Sequence, residues 1–146
     1  MRINLAAGNE ILGDDWLNHD RIRHREEIDR DWDLNLKEWP VSDETYDEVR
    51  AYDVLEHLDD IVAVMDEIWR ILKPGGKFEC KVCGWKNENY WIDITHRHAF
   101  TEKSMDYFDP ETELGKEYNY YTAQKWKILS VREFKNNYFF EMEPRK

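Results

Sequence analysis

Asp59-Asp60-Ile61-Val62-Ala63-Val64-Met65-Asp66-Glu67-Ile68-Trp69-Arg70-Ile71-Leu72-Lys73-Pro74-Gly75-Gly76 reads as one amphipathic helix with both of its ends written in. Ile61, Val64, Met65, Ile68, Ile71 and Leu72 recur at three- and four-residue spacing, which places them on one face of a helix. Asp59 and Asp60 supply the acidic start that suits free N–H groups, and Lys73-Pro74-Gly75-Gly76 stops the helix. On the C-terminal side, residues 77–83 alternate, with Phe78, Cys80 and Val82 on one face of a strand. On the N-terminal side, residues 46–52 form a second strand with Val49 and Ala51 inside it. Strand, helix, tight turn, strand is a βαβ unit, so the sheet is expected to be parallel with a right-handed crossover.

Further toward the N-terminus, residues 1–5 read as a first strand running into the small-residue turn Ala6-Ala7-Gly8-Asn9. Trp16-Leu17-Asn18-His19-Asp20 reads as a second strand ending in an acid. The interval between Gly8 and Asp20 barely holds a helix of ordinary length, and Gly13-Asp14-Asp15 interrupts it. A loop or a single turn is expected there. Residues 28–34 are a charged third-strand candidate, and residues 40–44 a turn. Residues 84–123 are rich in Asn, Asp, His and Tyr and too long for a plain connection. Short helices are expected there, one of them over residues 100–108 with Thr101 capping. Residues 126–134 and 138–143 form a C-terminal antiparallel hairpin around Lys135-Asn136-Asn137. The chain therefore reads as one α/β domain over residues 1–146.

The 146 residues include 21 Lys and Arg against 32 Asp and Glu, a net charge of -11. Such a surface repels polyanions, so nucleic acid is not an expected partner. The basic run Arg21, Arg23, His24, Arg25 is answered at once by Glu26, Glu27, Asp29 and Asp31. No stretch approaches the ~20 apolar residues of a membrane span. Met1 leads straight into strand-like sequence, so a cytoplasmic protein is expected. Cys80 and Cys83 are spaced C-x-x-C, but they fall on a strand, where residues three apart face opposite ways. Reduced structural thiols are the expected reading.

Four segments carry a resemblance to the class I S-adenosylmethionine (SAM)-dependent methyltransferases. They are Asn4-Leu5-Ala6-Ala7-Gly8-Asn9, residues 16–20, the run from Asp33-Leu34-Asn35 through Val54-Leu55-Glu56-His57-Leu58, and Arg70-Ile71-Leu72-Lys73-Pro74-Gly75-Gly76. Asp93-Ile94-Thr95-His96-Arg97 with Phe100-Thr101 resembles a further segment of many such enzymes. The resemblance implies a Rossmann-like, mostly parallel sheet with a C-terminal antiparallel hairpin, the first helix being reduced or absent. It implies SAM as cofactor and a small-molecule oxygen or nitrogen acceptor. The chain departs from the family where Ala6-Ala7 stand in a turn that is usually glycine-rich. That departure leaves a second reading, a non-catalytic methyltransferase-like module with a degenerate SAM site.

Carried over onto this sequence, the resemblance assigns cofactor contacts to Asn4, Ala6, Ala7, Gly8, Asn9, Asp20, Asp33, Leu34 and Asp53. Asp20, at the end of the second strand, matches the ribose acceptor, because a carboxylate takes two hydroxyl donors at once. Asp33, Leu34 and Asn35 match the adenine segment, with Trp32 a candidate stacking face. Asp53 and His96 are the candidate bases for the acceptor's proton. His57 reads as a structural hydrogen-bond partner. His96 and His98 with Asp93 make an incomplete ligand set, so no metal is expected. Tyr90-Trp91 and residues 118–121 suit either an acceptor wall or plain packing. An exposed sheet edge would suit pairing with a second copy.

Overall fold

The computed structural model describes residues 1–146. Seven strands form one sheet: β1 (Arg2–Leu5), β2 (Trp16–Asp20), β3 (Arg30–Asp31), β4 (Tyr46–Tyr52), β5 (Leu72–Cys83), β6 (Trp126–Phe134) and β7 (Asn137–Pro144). Their order is β3-β2-β1-β4-β5-β7-β6. Pairing is parallel from β3 to β5, and β7 runs antiparallel to both β5 and β6. This is the α/β sheet expected from the sequence, with its antiparallel hairpin at one edge.

The one long helix is α1 (Ile61–Ile71), with Asp60 as N-cap accepting from the Ala63 N–H at 3.0 Å. Val64, Met65, Ile68 and Ile71 of α1 are buried with Ile3, Leu5, Val49, Ala51, Phe78, Cys80, Phe140 and Met142 of the sheet. Glu67 of α1 accepts from the Trp39 N–H and from Arg70, and Arg70 also donates to the Val41 and Trp39 carbonyls. That network ties the segment before β4 to the helix.

The other face of the sheet is polar. Arg50 is in register with Glu79, Tyr52 with Lys81, and these lie beside Glu141, Phe139 and Arg132 on the next strands. No helix covers this face. In place of a first helix, residues 8–15 form a loop over the polar face of β1 and β2, pinned by two buried asparagines. Asn4 donates to the Glu10 carbonyl and to Asn18 Oδ1, and Asn18 exchanges two hydrogen bonds with Leu12.

Several elements differ from expectation. The third strand shrinks to Arg30–Asp31, the two residues that pair with β2, while Ile28, Trp32 and Leu34 on either side are buried without extending the ladder. β5 begins at Leu72 rather than Lys77, since Leu72 already pairs with Tyr46 and Lys77 with Glu48, the residues between bulging out with φ of 73° at Gly75. Residues 100–108 form turns and one 3₁₀ turn (Asp106–Phe108) instead of a helix. Two five-residue helices occupy the long connection, α2 (Glu88–Ile92) and α3 (Glu113–Glu117). The hairpin turn has φ of 50° at Lys135 and 60° at Asn136, the left-handed pair that two-residue hairpins need.

Ile68 is fully buried between helix and sheet. Ile68→Ala is expected to lower the free energy of unfolding by about 2–5 kcal/mol in urea titration. The same truncation at exposed Ile22 is expected to change it by less than about 0.5 kcal/mol.

Candidate functional site

Parallel pairing sends β1, β2 and β4 to the same edge of the sheet. The order reverses around β1, whose neighbours are β2 and β4, and such a reversal opens a crevice at the carboxyl ends. A cleft of about 330 Å³ lies there, lined by Ala6, His19, Asp20, Arg21, Asp33, Leu34, Asn35, Asp53, Val54, His57 and Leu58. That volume suits a small organic ligand.

The turn after β1 is shaped by its backbone. Ala6 has φ of 50° and Gly8 has φ of 53°, both left-handed. For Gly8 this costs nothing, whereas Ala6 is held there by its surroundings. The Ala6 N–H donates to His19 Nδ1 at 3.2 Å, the Ala7 N–H to the His19 carbonyl at 2.7 Å, and the Gly8 N–H to Asp20 Oδ2 at 2.9 Å. The Arg21 N–H donates to Asp20 Oδ1 at 2.7 Å. Asp20 is thus locked in place and keeps free lone pairs for hydroxyl donors.

His19 is the fully buried clamp of this cleft. Its Nδ1 accepts from Ala6, so its Nε2 carries the proton and donates to the Trp32 carbonyl at 3.1 Å. One neutral imidazole thereby joins the turn after β1 to the segment after β3. Burial lowers its pKa to about 4. On the far wall, Asp33 Oδ1 accepts from the Asn35 N–H and Oδ2 lies 3.3 Å from Arg21.

A second cleft of about 460 Å³ adjoins the first, and Asp53 and His57 line both. Its other walls include Glu56, Lys81, Asn87, Asn89, Asp93 and His96. Asp53 follows β4 with φ of 53° and lies 2.7 Å from Lys81 Nζ. Glu56 is buried, and Oε1 accepts from the Cys83 N–H at 2.9 Å while Oε2 has no partner. Desolvation pushes the Glu56 carboxyl above the ordinary range. His57 Nδ1 is 2.8 Å from Thr95 Oγ1, and the Thr95 hydroxyl donates to Asp93 Oδ1 at 2.7 Å.

The structure therefore gathers Ala6, Asp20, Asp33, Leu34 and Asp53 around one cleft, with Asn35 beside them. It places His96 in the adjoining cleft. Asn4, Ala7, Gly8 and Asn9 do not line either. Asn4 is committed beneath the 8–15 loop, Ala7 is buried, Gly8 acts through its N–H on Asp20, and Asn9 accepts from Arg25. Trp32 is buried against His19 and Trp39 instead of facing the cleft. Residues 118–121 form a tyrosine cluster with Tyr107 away from both clefts, and Trp91 is exposed. Cys80 and Cys83 are buried free thiols whose pKa values burial raises, so neither is a ready thiolate.

Sequence reasoning missed His19 as the clamp, Glu56 as a buried acid, and Lys81 beside Asp53. Only the charged alternation of β5 hinted at Lys81, which must face away from Phe78, Cys80 and Val82.

Residues 16–80 match the family model described as a methyltransferase domain. A demethylmenaquinone methyltransferase of Halalkalibacterium halodurans is 33% identical over 76 residues, which is 52% of this chain and 27% of that protein. An uncharacterized methyltransferase of Schizosaccharomyces pombe is 48% identical over 42 residues, 29% of this chain and 15% of that protein. The matches thus span about a quarter or less of the curated relatives' length. Among solved structures, a chain of the complex between the Haloferax volcanii Trm112 methyltransferase activator and a methyltransferase superposes with a TM-score of 0.69 at 13% identity, over 97% of this chain and 81% of that one. A SAM-dependent methyltransferase from Archaeoglobus fulgidus gives 0.66 at 11% identity, over 97% and 85%. At these identities the structural matches establish the shared fold. No helix of the chain is long and apolar enough to cross a membrane.

The His19 clamp makes stability pH-dependent. Below pH 6.5 the unfolded chain protonates this histidine while the folded one does not until about pH 4. The unfolded state then binds more protons, so stability falls as the pH is lowered through that window. The expected loss reaches about 3 kcal/mol at pH 4. Urea titrations from pH 7.5 to 4 check this, and His19→Asn is expected to flatten the slope.

Proposed function

We propose that this chain, whose residues 16–80 match a methyltransferase-domain model, transfers a methyl group from SAM, held in the Asp20 cleft, to a small polar acceptor held in the cleft beside it. The observation that carries this reading is that Asp53 and His57 line both clefts. A donor site and an acceptor site that share a wall allow the in-line geometry that methyl transfer needs.

SAM supplies the electrophilic methyl on its sulfonium. Asp20 would accept the ribose hydroxyls, and its own hydrogen bonds from Gly8 and Arg21 keep it oriented for them. Leu34 and Leu58 would wall the adenine, with Asp33 and Asn35 at its polar edge. The acceptor's oxygen or nitrogen would take the methyl group as the carbon–sulfur bond breaks, with S-adenosylhomocysteine as the leaving group. Of the two candidate bases, Asp53, which lines both clefts, would take the acceptor's proton. His96 stands in the acceptor cleft alone, where it orients the acceptor.

The acceptor cleft is polar, with Asp53, Glu56 and Asp93 against Lys81. Carboxylates and amides favour an amine or a hydroxyl-rich molecule and disfavour a long isoprenoid chain. The second reading, a methyltransferase-like module without catalysis, draws on the left-handed Ala6 in the turn that would face the cofactor.

Calorimetric titration separates the two. SAM and S-adenosylhomocysteine are expected to bind wild-type protein, and Asp20→Ala is expected to weaken binding about 10- to 100-fold. No heat of binding at millimolar SAM would overturn the catalytic reading in favour of the module.

A further inference from the structure

His57, Asp93 and His96 each offer one ligand atom, and these atoms lie within 4.8 Å of one another. They come from two segments, the 3₁₀ turn Leu55–His57 after β4 and the residues following α2. The hydrogen bonds around them determine which atoms are free. The Thr95 hydroxyl has one proton, and it goes to Asp93 Oδ1, which cannot donate. Thr95 must therefore accept from His57 Nδ1–H, so His57 keeps its lone pair on Nε2. His96 Nδ1 faces the Tyr90 carbonyl at 3.3 Å, which only accepts, so His96 also keeps its lone pair on Nε2. That nitrogen is 3.7 Å from Asp93 Oδ2, the carboxylate oxygen that Thr95 leaves free.

We propose that His57, Asp93 and His96 bind a divalent transition cation of the Zn²⁺ class in the wall of the acceptor cleft. Two imidazoles and one carboxylate are a borderline-soft donor set that suits Zn²⁺ better than Mg²⁺ or Ca²⁺. Ligands about 2.1 Å from a tetrahedral ion lie about 3.4 Å apart, so the His96–Asp93 pair needs only a small adjustment. Each imidazole donates its other N–H to an oxygen, the arrangement that orients histidine ligands toward a metal. The two segments are already joined, since the Arg97 N–H donates to the Glu56 carbonyl at 2.7 Å and His98 Nε2 lies 2.7 Å from the Leu58 carbonyl. His98, paired with His96 in the sequence reading, is thereby committed elsewhere, and His57 takes its place. Three protein ligands leave a fourth position toward the cleft for a water or an acceptor oxygen.

The location of the site relative to an acceptor rests on the function proposed above, whereas cation binding does not. The test is therefore run without SAM. Zn²⁺ is titrated calorimetrically into the full chain at pH 7.5, and Co²⁺ is followed by its visible absorption. One equivalent bound at micromolar affinity is expected, with the intense bands of low-coordinate Co²⁺. His96→Ala and Asp93→Asn are each expected to weaken binding at least 10-fold, and Thr95→Ala about 10-fold through the lost orientation of His57. Substitution of exposed His24 is expected to change nothing. Asp20→Ala is expected to retain the cation, which separates failure of this site from failure of the SAM cleft. Asp93→Asn keeps the shape of its side chain, and circular dichroism verifies folding of each variant. No Zn²⁺ uptake at millimolar concentration, or uptake indifferent to His96 and Asp93, would overturn the proposal.

Discussion

The packing of α1 against a single face of the sheet is the constraint on which everything else depends. Ile68, Ile71 and Met65 have no exposed surface, and neither do Ile3, Val49 and Phe78 beneath them. A parallel sheet ordinarily hides both faces. Here β4 and β5 alternate between apolar and charged residues, so one face is dry and the other faces water with ion pairs and stacked cations. Arg50 lies over the Tyr52 ring at 3.8 Å and Arg132 over Phe139 at 4.1 Å. The polar face of β1 and β2 is covered by the 8–15 loop, which two asparagines hold in place of a helix. The core therefore has one layer of helix to rely on, and the Glu67–Arg70 network extends its hold to the 39–43 segment.

The clefts inherit their positions from this arrangement. Parallel register brings the ends of β1, β2 and β4 to one edge, and the left-handed turns at Ala6 and Asp53 swing the chain out of the sheet there. His19 then joins two loops that share no other direct bond of this kind, and it can do so only while neutral. The cleft beside Asp20 is thus shaped by backbone and one buried imidazole. The adjoining cleft is shaped by side chains, with Glu56 buried at its base and the Thr95 hydroxyl relaying a hydrogen bond between His57 and Asp93.

Residues 84–123 illustrate where pattern reading runs out. That they hold short helices was legible from length and composition, and α2 and α3 agree with that reading. Their partners were not. Residues 100–108 look helical because Thr101 and the acids after it suit a helix start. Instead Phe100, Met105 and Phe108 are drawn into the core, which leaves room only for turns. His98 and His96 are two apart in sequence and look like partners, yet the Leu58 carbonyl holds the first and Asp93 and His57 surround the second.

Local pattern by itself determined the α1 stripe, its acidic cap and glycine stop, the alternating β4 and β5, and the hairpin at Lys135-Asn136. It also determined that the interval from Gly8 to Asp20 could hold no ordinary helix. Each of these follows from forces acting within a few residues, namely periodic burial, capping and φ preference. Tertiary structure alone decided that His19 would clamp Ala6 to Trp32, that Asn4 and Asn18 would pin the 8–15 loop, and that Asp53 and His57 would line two clefts. These contacts join residues six to 14 positions apart, or elements on different segments of the fold. A hydrogen bond across such distances depends on where the whole sheet places both partners, and no local periodicity carries that information.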